Sequence, residues 1–332
     1  MTALSLPLVP TTRRWWLTGS AVAVFAGALL SADAALAQDR LSVVTTIAQI
    51  GDLTAAIAGD AADVTILMGE GVDPHSYQQT RSDIVLLNRA DVVIYNGLFL
   101  EAQMEDLLQQ LASRKPVLAY AEALPTDRLL PSMDYEGRAD PHAWMNAALW
   151  AEGIDDVVTL LSLADPANAE VFAANGEAYR AELAAIAGYA EATLATVPAE
   201  ARVVISAHDA FNYFGDAFGF EVLGIQGLST ESEAGLQRIE AMVDLLVDRG
   251  IGAVFVETSV ADRNVRALIE GAAARGHDVV IGGALFSDAM GDAGTYEGTY
   301  VGMLDHNVTT ITRALGGNAP AGGFLGLLSP EG

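Results

Sequence analysis

Two stretches of this sequence share the tripeptide Asp-Pro-His in otherwise different surroundings. Residues 73–75 lie in VDPHSYQ and residues 140–142 lie in ADPHAWM, so His75 and His142 are two of the five histidines in the chain. Proline fixes its own φ and drives the preceding residue into an extended conformation, which leaves each histidine on a stiff segment. Such a segment suits an imidazole held ready for a ligand, although Asp-Pro also opens ordinary turns. The tripeptide alone leaves both interpretations open.

The elements that would carry these histidines follow a βα rhythm. Short runs rich in valine and isoleucine alternate with helical patterns, which is typical of parallel sheets. Between the fourth and fifth runs the rhythm stops, and residues 166–198 predict one long helix of roughly 45 Å that begins near Pro166 and ends at Pro198. Asn175-Gly176 could bend it, and a last amphipathic helix is predicted over 297–315. The strand-like runs are residues 41–46, 63–69, 90–97, 116–120, 202–209, 220–225, 252–259 and 277–283.

This rhythm predicts an α/β fold with two lobes, each with a central parallel sheet flanked by helices, joined by one long rigid helix. The Gly/Pro-rich C-terminal end predicts a flexible tail. We expect a signal peptide at 1–37, an N-terminal lobe at 38–165, the linking helix at 166–198, a C-terminal lobe at 199–316 and the tail at 317–332.

Side chains that could bind a metal ion occur in the loops that follow the carboxyl ends of strands. Folds of this kind place their functional groups in these loops. The N-terminal lobe offers His75 and His142, and the C-terminal lobe offers His208 and Asp288. Three imidazoles and one carboxylate suit zinc, and also manganese or iron where the carboxylate chelates. No short-range metal motif such as H-E-x-x-H is present, so the fold itself must assemble any site.

The other histidines and acids have different interpretations. His277 precedes a predicted strand on an exposed turn and His306 lies on the last helix, so we expect both to be structural. Glu257 ends a predicted strand, where it either supports a ligand through a hydrogen bond or caps the strand. Asp73 and Asp140 are expected to orient a neighbouring backbone or imidazole rather than to bind metal directly.

The first 37 residues are typical of a secretory signal. Two arginines at 13–14 precede an apolar run, and residues 35–37 form an A-x-A cleavage site, so we expect cleavage near Ala37 and a periplasmic protein. The arginines and the following residues 15–17 also fit a twin-arginine signal, and since ordinary Sec signals carry Arg-Arg too, both export routes stay open. No later apolar run reaches about 18 residues, which predicts no transmembrane helix.

Composition excludes several classes of function. The 332-residue chain has a net charge of −26, and nucleic-acid binding is not expected because phosphate contacts need clustered lysine and arginine. The absence of cysteine argues against a disulfide, a thiolate metal site and a lipid-bearing N-terminal cysteine. Lys115 is the only lysine, and its SRKPV setting suits neither a P-loop nor a Schiff base. A G-x-S-x-G nucleophile elbow is also missing.

The sequence resembles the TroA-like group of periplasmic solute-binding proteins, the metal receptors of ABC importers. The resemblance covers nearly all of the chain after the signal, and four motifs occur in the family's order. In that family one residue from each motif binds a metal ion between two lobes, which implies the ligands His75, His142, His208 and Asp288. The motifs are GEGVDPHSYQQTRSDIVLLNRADVVIYNGLFLE, ADPHAWMN, ISAHDAFNYFGDAFGFEVLGIQGLSTESEA and IGGALFSDAMGDAGTYEGTYVGML.

The resemblance also bears on the identity of the metal. Relatives with glutamate at the position of His208 look like manganese or iron receptors, and typical zinc-specific relatives carry a long histidine-rich loop before the second motif. Here that segment, PTDRLLPSMDYEGRAD, is short and has no histidine. Three histidines with one aspartate resemble the branch associated with both zinc and manganese, and iron remains an alternative.

The function that the resemblance implies is a non-enzymatic, monomeric receptor that delivers zinc or manganese to a membrane permease and its ATPase subunits. A stiff inter-lobe helix predicts small motions rather than a wide hinge, with release triggered by docking on the permease. Two alternatives are a zinc-dependent hydrolase and an envelope adhesin on the same fold. A catalytic zinc would keep an open position beside a base, whereas four protein ligands would fill a tetrahedral site.

Overall fold

The computed structural model describes residues 40–132 and 134–329. The predicted signal peptide, residues 1–37, lies outside these residues. The described chain forms two lobes of parallel strands flanked by helices, with one long helix between them, which is the fold class that the sequence predicts. None of the helices in the described residues combines the length and the apolarity needed to cross a membrane.

The N-terminal lobe is built on four parallel strands in the order β2-β1-β3-β4. The central strands β1 and β3 are almost wholly buried, as in a parallel sheet covered on both faces. Helix α2 begins at a capping box of Thr80 and Asp83, which fixes the end of the long loop after β2. The strands are β1 Leu41–Ile47, β2 Ala62–Met68, β3 Val92–Tyr95 and β4 Val117–Ala119, and the helices are α1 Ala48–Ala58, α2 Arg81–Arg89, α3 Glu105–Ala112, α4 Ala147–Trp150 and α5 Ile154–Ala164.

The linking helix is α6, Ala169–Leu194, whose 26 residues span about 39 Å. A 3₁₀ turn over Pro166–Asn168 precedes it, and the side chain of Asp165 caps that turn. The helical segment therefore begins at Pro166, as predicted, with a 3₁₀ turn as its first turn, and it ends at Leu194, before the predicted end at Pro198.

The Asn-Gly pair inside α6 serves packing, and the helix continues through both residues. Asn175 donates a hydrogen bond of 3.0 Å to the carbonyl of Ile57 on α1. A Cβ at Gly176 would lie 2.8 Å from Val158 on α5, so glycine permits the close approach of the two helices.

The C-terminal lobe contains two parallel strand pairs, β5-β6 and β7-β8, with β5 beside β7. Helices α7 and α8 end at glycines in the left-handed conformation, Gly219 at φ 72° and Gly250 at φ 63°. Each of the eight strand-like runs of the sequence overlaps one strand, and the predicted last helix overlaps α10. The strands are β5 Val203–Ser206, β6 Glu221–Gly224, β7 Ala253–Glu257 and β8 Val280–Leu285, and the helices are α7 Asn212–Phe218, α8 Leu236–Arg249, α9 Arg263–Ala274 and α10 Tyr300–Ala314.

One buried apolar cluster runs through both lobes and the linking helix. Helix α6 contributes Phe172, Leu183 and Ile186, while α1 contributes Ile50 and α10 contributes Met303. A second cluster lies within the C-terminal lobe. Since each large apolar side chain stabilises the fold by roughly 1.5–3 kcal/mol when buried, the shared cluster resists separation of the lobes.

The C-terminal segment differs from the flexible tail expected over 317–332. Its described part, residues 317–329, has no helix or strand, but it packs against the C-terminal lobe and α6. The backbone N–H of Phe324 donates to the Asp305 carboxylate at 2.8 Å, and the Phe324 ring lies 5.2 Å from that of Tyr189. These specific contacts outweigh the flexibility that its glycines and prolines suggest.

A polar junction joins helices from both lobes to the linking helix. On α1, Asp52 accepts hydrogen bonds from the Tyr179 hydroxyl of α6 at 2.9 Å and from the backbone N–H of Tyr300 on α10 at 3.2 Å. Burial raises the pKa of Asp52, and both hydrogen bonds oppose that rise. The Tyr300 hydroxyl in turn donates to the carbonyl of Trp144 at 2.7 Å, so the junction reaches the second Asp-Pro-His segment.

Removing one donor from this junction should destabilise the fold. We expect Tyr179→Phe to lower the free energy of unfolding at neutral pH by about 1–2 kcal/mol, because the partly buried Asp52 carboxylate loses a hydrogen bond. Tyr189→Phe is the matched control on α6, since its hydroxyl faces the neutral hydroxyl of Thr309. Urea unfolding measures both, and equal losses would contradict a special role for Asp52.

Candidate metal centre

Four side chains converge between the two lobes, and they are the four that the sequence singles out: His75, His142, His208 and Asp288. Each offers one ligand atom, and these atoms all lie within 4.8 Å of one another. The Nε2 atoms of His75 and His142 are 3.2 Å apart, and the Nε2 of His208 is 3.2 Å from Asp288 Oδ2. A tetrahedral ion with bonds of about 2.0–2.2 Å separates its ligand atoms by roughly 3.3 Å, so the spacing fits a cation at the centre.

The centre is buried, and part of its hydrogen-bonding capacity is unused. The side chains of His142, His208 and Asp288 are 0% exposed and that of His75 is 4% exposed. Within the described residues, the ion-pair contact of 3.2 Å between His208 Nε2 and Asp288 Oδ2 is the close polar contact of these atoms inside the centre, and none of His208 Nε2 and the two Asp288 oxygens has a well-aligned hydrogen-bond partner. Buried polar atoms are normally paired, because leaving them unpaired costs free energy. Inward-facing lone pairs of this kind fit a divalent cation.

The two Asp-Pro-His segments hold their histidines differently. Asp140 Oδ1 accepts from both the backbone N–H and the Nδ1 of His142, at 2.9 and 2.7 Å. That contact fixes the ring and leaves Nε2 as the atom directed at the centre. Among the described residues, Asp73 Oδ1 accepts from the backbone N–H of His75 alone, at 2.9 Å, so it positions the loop rather than the ring.

Glu257 performs for His208 the task that Asp140 performs for His142. At the end of β7, its two oxygens accept from the backbone N–H of His208 at 2.8 Å and from Nδ1 at 2.5 Å. Of the two alternatives for Glu257, the structure shows the hydrogen bond to a centre histidine.

The charges of the centre shift its pKa values in opposite directions. Burial lowers the pKa of His208, but Asp288 and Glu257 outweigh burial and hold this pKa well above its ordinary value. Burial raises the pKa of Asp288, yet His208 and the other two imidazoles bring it below its ordinary value. Burial lowers the pKa of His75 to about 4, against the opposing charge of Asp288. A cation entering the centre therefore competes with a proton on His208.

Trp144 is a contributor that the sequence interpretation missed. Its buried ring lies 5.2 Å from the His142 ring, and its indole N–H donates to the Ser287 carbonyl of the opposite lobe at 2.9 Å. It thereby connects the segment of His142 to the residue before Asp288. Its position two residues after His142 could have indicated a role at the centre. In the sequence, however, it cannot be distinguished from a tryptophan of the hydrophobic core.

The remaining histidines do not join the centre. The Nε2 of His277 lies 2.7 Å from the Ile251 carbonyl, and that of His306 lies 2.8 Å from the Ala284 carbonyl. Both contacts are with backbone at strand or helix ends, which agrees with their structural interpretation.

Comparisons with known proteins show which family model this chain matches and which proteins it resembles. The family model ZnuA, described as zinc-uptake complex component A, periplasmic, matches residues 43–314. The manganese-binding lipoprotein MntA of Bacillus subtilis (strain 168) is 46% identical over 280 residues, covering 84% of this chain and 91% of the relative. The zinc-binding protein TroA of Treponema pallidum (strain Nichols) is 43% identical over 291 residues, covering 88% and 94%. The solved structure of periplasmic zinc-binding TroA from Treponema pallidum superposes with a TM-score of 0.81 at 42% identity, covering 83% of this chain and 99% of that one.

The proton on His208 provides a test of the electrostatics. We expect cation binding at neutral pH to displace it, so affinity falls as the pH drops below the metal-free pKa of His208. Glu257→Gln removes a charge that raises this pKa and should release fewer protons per ion bound. Calorimetry in buffers of different ionisation enthalpy measures the release, with the exposed Glu200→Gln as control. Equal proton release by wild type and Glu257→Gln would contradict this assignment.

Proposed function

Because the chain belongs to the periplasmic zinc-uptake component A family, we propose that it is the solute-binding receptor of an ABC importer and carries one divalent transition-metal ion between its lobes. It is a receptor and not an enzyme. Members of this family bind a metal for delivery, and the same task accounts for a centre assembled from loops of both lobes.

We assign the ligands of the ion to His75, His142, His208 and Asp288. The observation that carries this assignment is the convergence of three imidazoles and one carboxylate whose inward atoms lie within 4.8 Å of one another in a buried centre. Asp140 and Glu257 orient two of the rings by accepting their Nδ1–H groups. Mutation of such partners of metal-binding histidines typically costs about 10–100-fold in metal affinity or activity.

The cargo in this proposal is zinc or manganese. One similar protein is named for zinc and another for manganese. Three imidazoles and one carboxylate should hold zinc more tightly than manganese in solution, as the Irving–Williams order requires. The metal delivered in the cell then depends on supply as well as on affinity.

The two alternative functions find no support. A hydrolase needs an open coordination position for water, and four protein ligands complete a tetrahedron. An adhesin would have no use for buried and oriented imidazoles. Family membership favours neither alternative.

We further propose the cellular setting that follows from the sequence. Cleavage near Ala37 would release the chain into the periplasm by the Sec or the twin-arginine route. There it would act as a monomer and dock on a permease with its ATPase subunits. The working boundaries are 38–165 and 199–316 for the lobes, 166–198 for the linking helix and 317–332 for the C-terminal segment.

Loading and release follow from the chemistry of the four side chains. His75 is neutral at neutral pH and offers a lone pair without losing a proton. His208 gives up its proton, and Asp288 supplies the single negative charge among the ligands. The shared apolar cluster and α6 limit the motion between lobes, so docking on the permease would displace a ligand loop rather than open a wide cleft.

Metal content tests the ligand assignment. We expect about one equivalent of zinc or manganese in the wild-type protein purified from its own periplasm, and strong loss of that metal in His142→Ala, because the site loses one of four ligands. His277→Ala is the matched control, since the His277 ring lies outside the centre and contacts the Ile251 carbonyl. Mass spectrometry measures the metal. A wild-type protein that binds neither zinc nor manganese would refute the receptor function.

Competition between the two metals tests the ligand chemistry. We expect added zinc to displace bound manganese from the purified protein, and manganese at the same concentration not to displace zinc. Equilibrium dialysis followed by mass spectrometry measures both directions. Displacement of zinc by equimolar manganese would contradict an imidazole-dominated site.

A further inference from the structure

His75 is the one assigned ligand whose side chain keeps any exposure, 4% against 0% for the other three. A cavity of about 190 Å³ adjoins it, and both lobes line this cavity. Phe99 and Arg138 line it from the N-terminal lobe, while Leu228 and Glu231 line it from the C-terminal lobe. The cavity beside His75 therefore offers the ion a route to solvent between these two walls.

The N-terminal wall of the cavity is preformed. Phe99 has a φ of 65°, a left-handed conformation that is unfavourable for a residue with a side chain. The preceding residue, Leu98, has a φ of 54°, and its N–H donates to Glu122 at 3.1 Å, which helps to hold this turn. The Arg138 guanidinium lies 3.6 Å from the centroid of the Phe99 ring. This wall is a fixed side of the exit.

The opposite wall is a loop of the C-terminal lobe, residues 227–232, which contains none of the assigned ligands. It has no helix or strand, and hydrogen bonds tie it to the N-terminal lobe. These run from Thr230 Oγ1 to Asp73 Oδ2 at 2.6 Å, from the Leu228 N–H to Asp134 Oδ2 at 2.7 Å, and from Gln103 Nε2 to Glu231 Oε1 at 2.6 Å.

The contact of Thr230 differs from the other two because its acceptor also positions a ligand. Asp73 Oδ1 holds the backbone N–H of His75, while Asp73 Oδ2 accepts from Thr230. The Asp73 carboxylate therefore joins the loop that carries His75 to loop 227–232 of the opposite lobe. Breaking the hydrogen bond of Thr230 would therefore free loop 227–232 and also remove a contact of the carboxylate that supports His75.

We propose that Thr230 and Asp73 form a latch that keeps loop 227–232 closed over His75 and sets the rate at which the ion enters and leaves. The inference rests on the proposed function, and it assigns Thr230 as a positioning residue that touches no metal. The four ligands govern affinity in this scheme, and the latch governs the speed of exchange. Loss of the latch should therefore accelerate binding and release by similar factors.

The test uses the full chain loaded with one equivalent of zinc. Thr230→Val keeps the shape of the side chain and removes the hydroxyl, while Thr230→Ser keeps the hydroxyl. Ser76→Ala is the matched control, because the Ser76 hydroxyl donates to the same oxygen, Asp73 Oδ2, at 2.8 Å from within its own lobe. Stopped-flow transfer of zinc to a fluorescent chelator, extrapolated to zero chelator, measures release, and mixing with free zinc measures binding.

We expect Thr230→Val to release and to bind zinc about tenfold faster than wild type, the change that loss of one hydrogen bond to a carboxylate can produce. Its dissociation constant should change much less, and Thr230→Ser and Ser76→Ala should exchange zinc at nearly the wild-type rate.

Two results overturn the latch while leaving the receptor function intact. One is a Thr230→Val protein that binds one zinc and releases it at the wild-type rate. The other is an equal acceleration in Ser76→Ala, which would place the effect in the support of Asp73 rather than in the inter-lobe bond. Wild-type protein that binds no zinc overturns the proposed function and the latch with it.

Discussion

The buried carboxylate of Asp288, surrounded by imidazoles from both lobes, is the interaction on which the rest of the structure depends. Asp288 and His208 come from the C-terminal lobe, and His75 and His142 come from the N-terminal lobe. A buried anion is costly unless positive charge compensates it. The lobes must therefore meet closely at the centre, and the shared apolar cluster with α6 holds them there.

Two carboxylates outside the centre hold its histidines by the same pair of hydrogen bonds. Asp140 and Glu257 each accept from a backbone N–H and from the Nδ1 of a centre histidine. Each therefore fixes both the loop and the tautomer of the ring it serves. Asp73 has the same sequence context as Asp140, and the second oxygen of each accepts from the opposite lobe, from Thr230 and from Asn212 respectively. Among the described residues, however, Asp73 accepts the backbone N–H of its histidine and not the ring N–H. Identical tripeptides thus hold their histidines differently, one through both ring and backbone and the other through the backbone.

The sequence predicts much of this arrangement because periodicity and strand-end position are local signals. The valine-rich runs predict strands, and the histidines after β2 and β5 fall at the carboxyl edge where parallel strands collect polar groups. The contacts of Trp144 and Thr230 were not predictable, since each depends on how the opposite lobe packs. The helical segment begins at Pro166 as predicted, but its C-terminal end at Leu194 was missed, because Pro198 marks where a helix cannot continue and not where hydrogen bonding stops. The packing of Phe324 is likewise a tertiary effect.

The apolar cluster that crosses α6 has a consequence for how the molecule assembles. Ile50 on α1 and Met303 on α10 belong to the same cluster as Leu183 of the linking helix. Cutting the chain on either side of α6 would expose an unfinished apolar face on each fragment. Neither half is then a self-sufficient folding module, and the protein should unfold in one cooperative step. Grafting a lobe from a distant relative would require the helix and the opposing surface to be exchanged along with it.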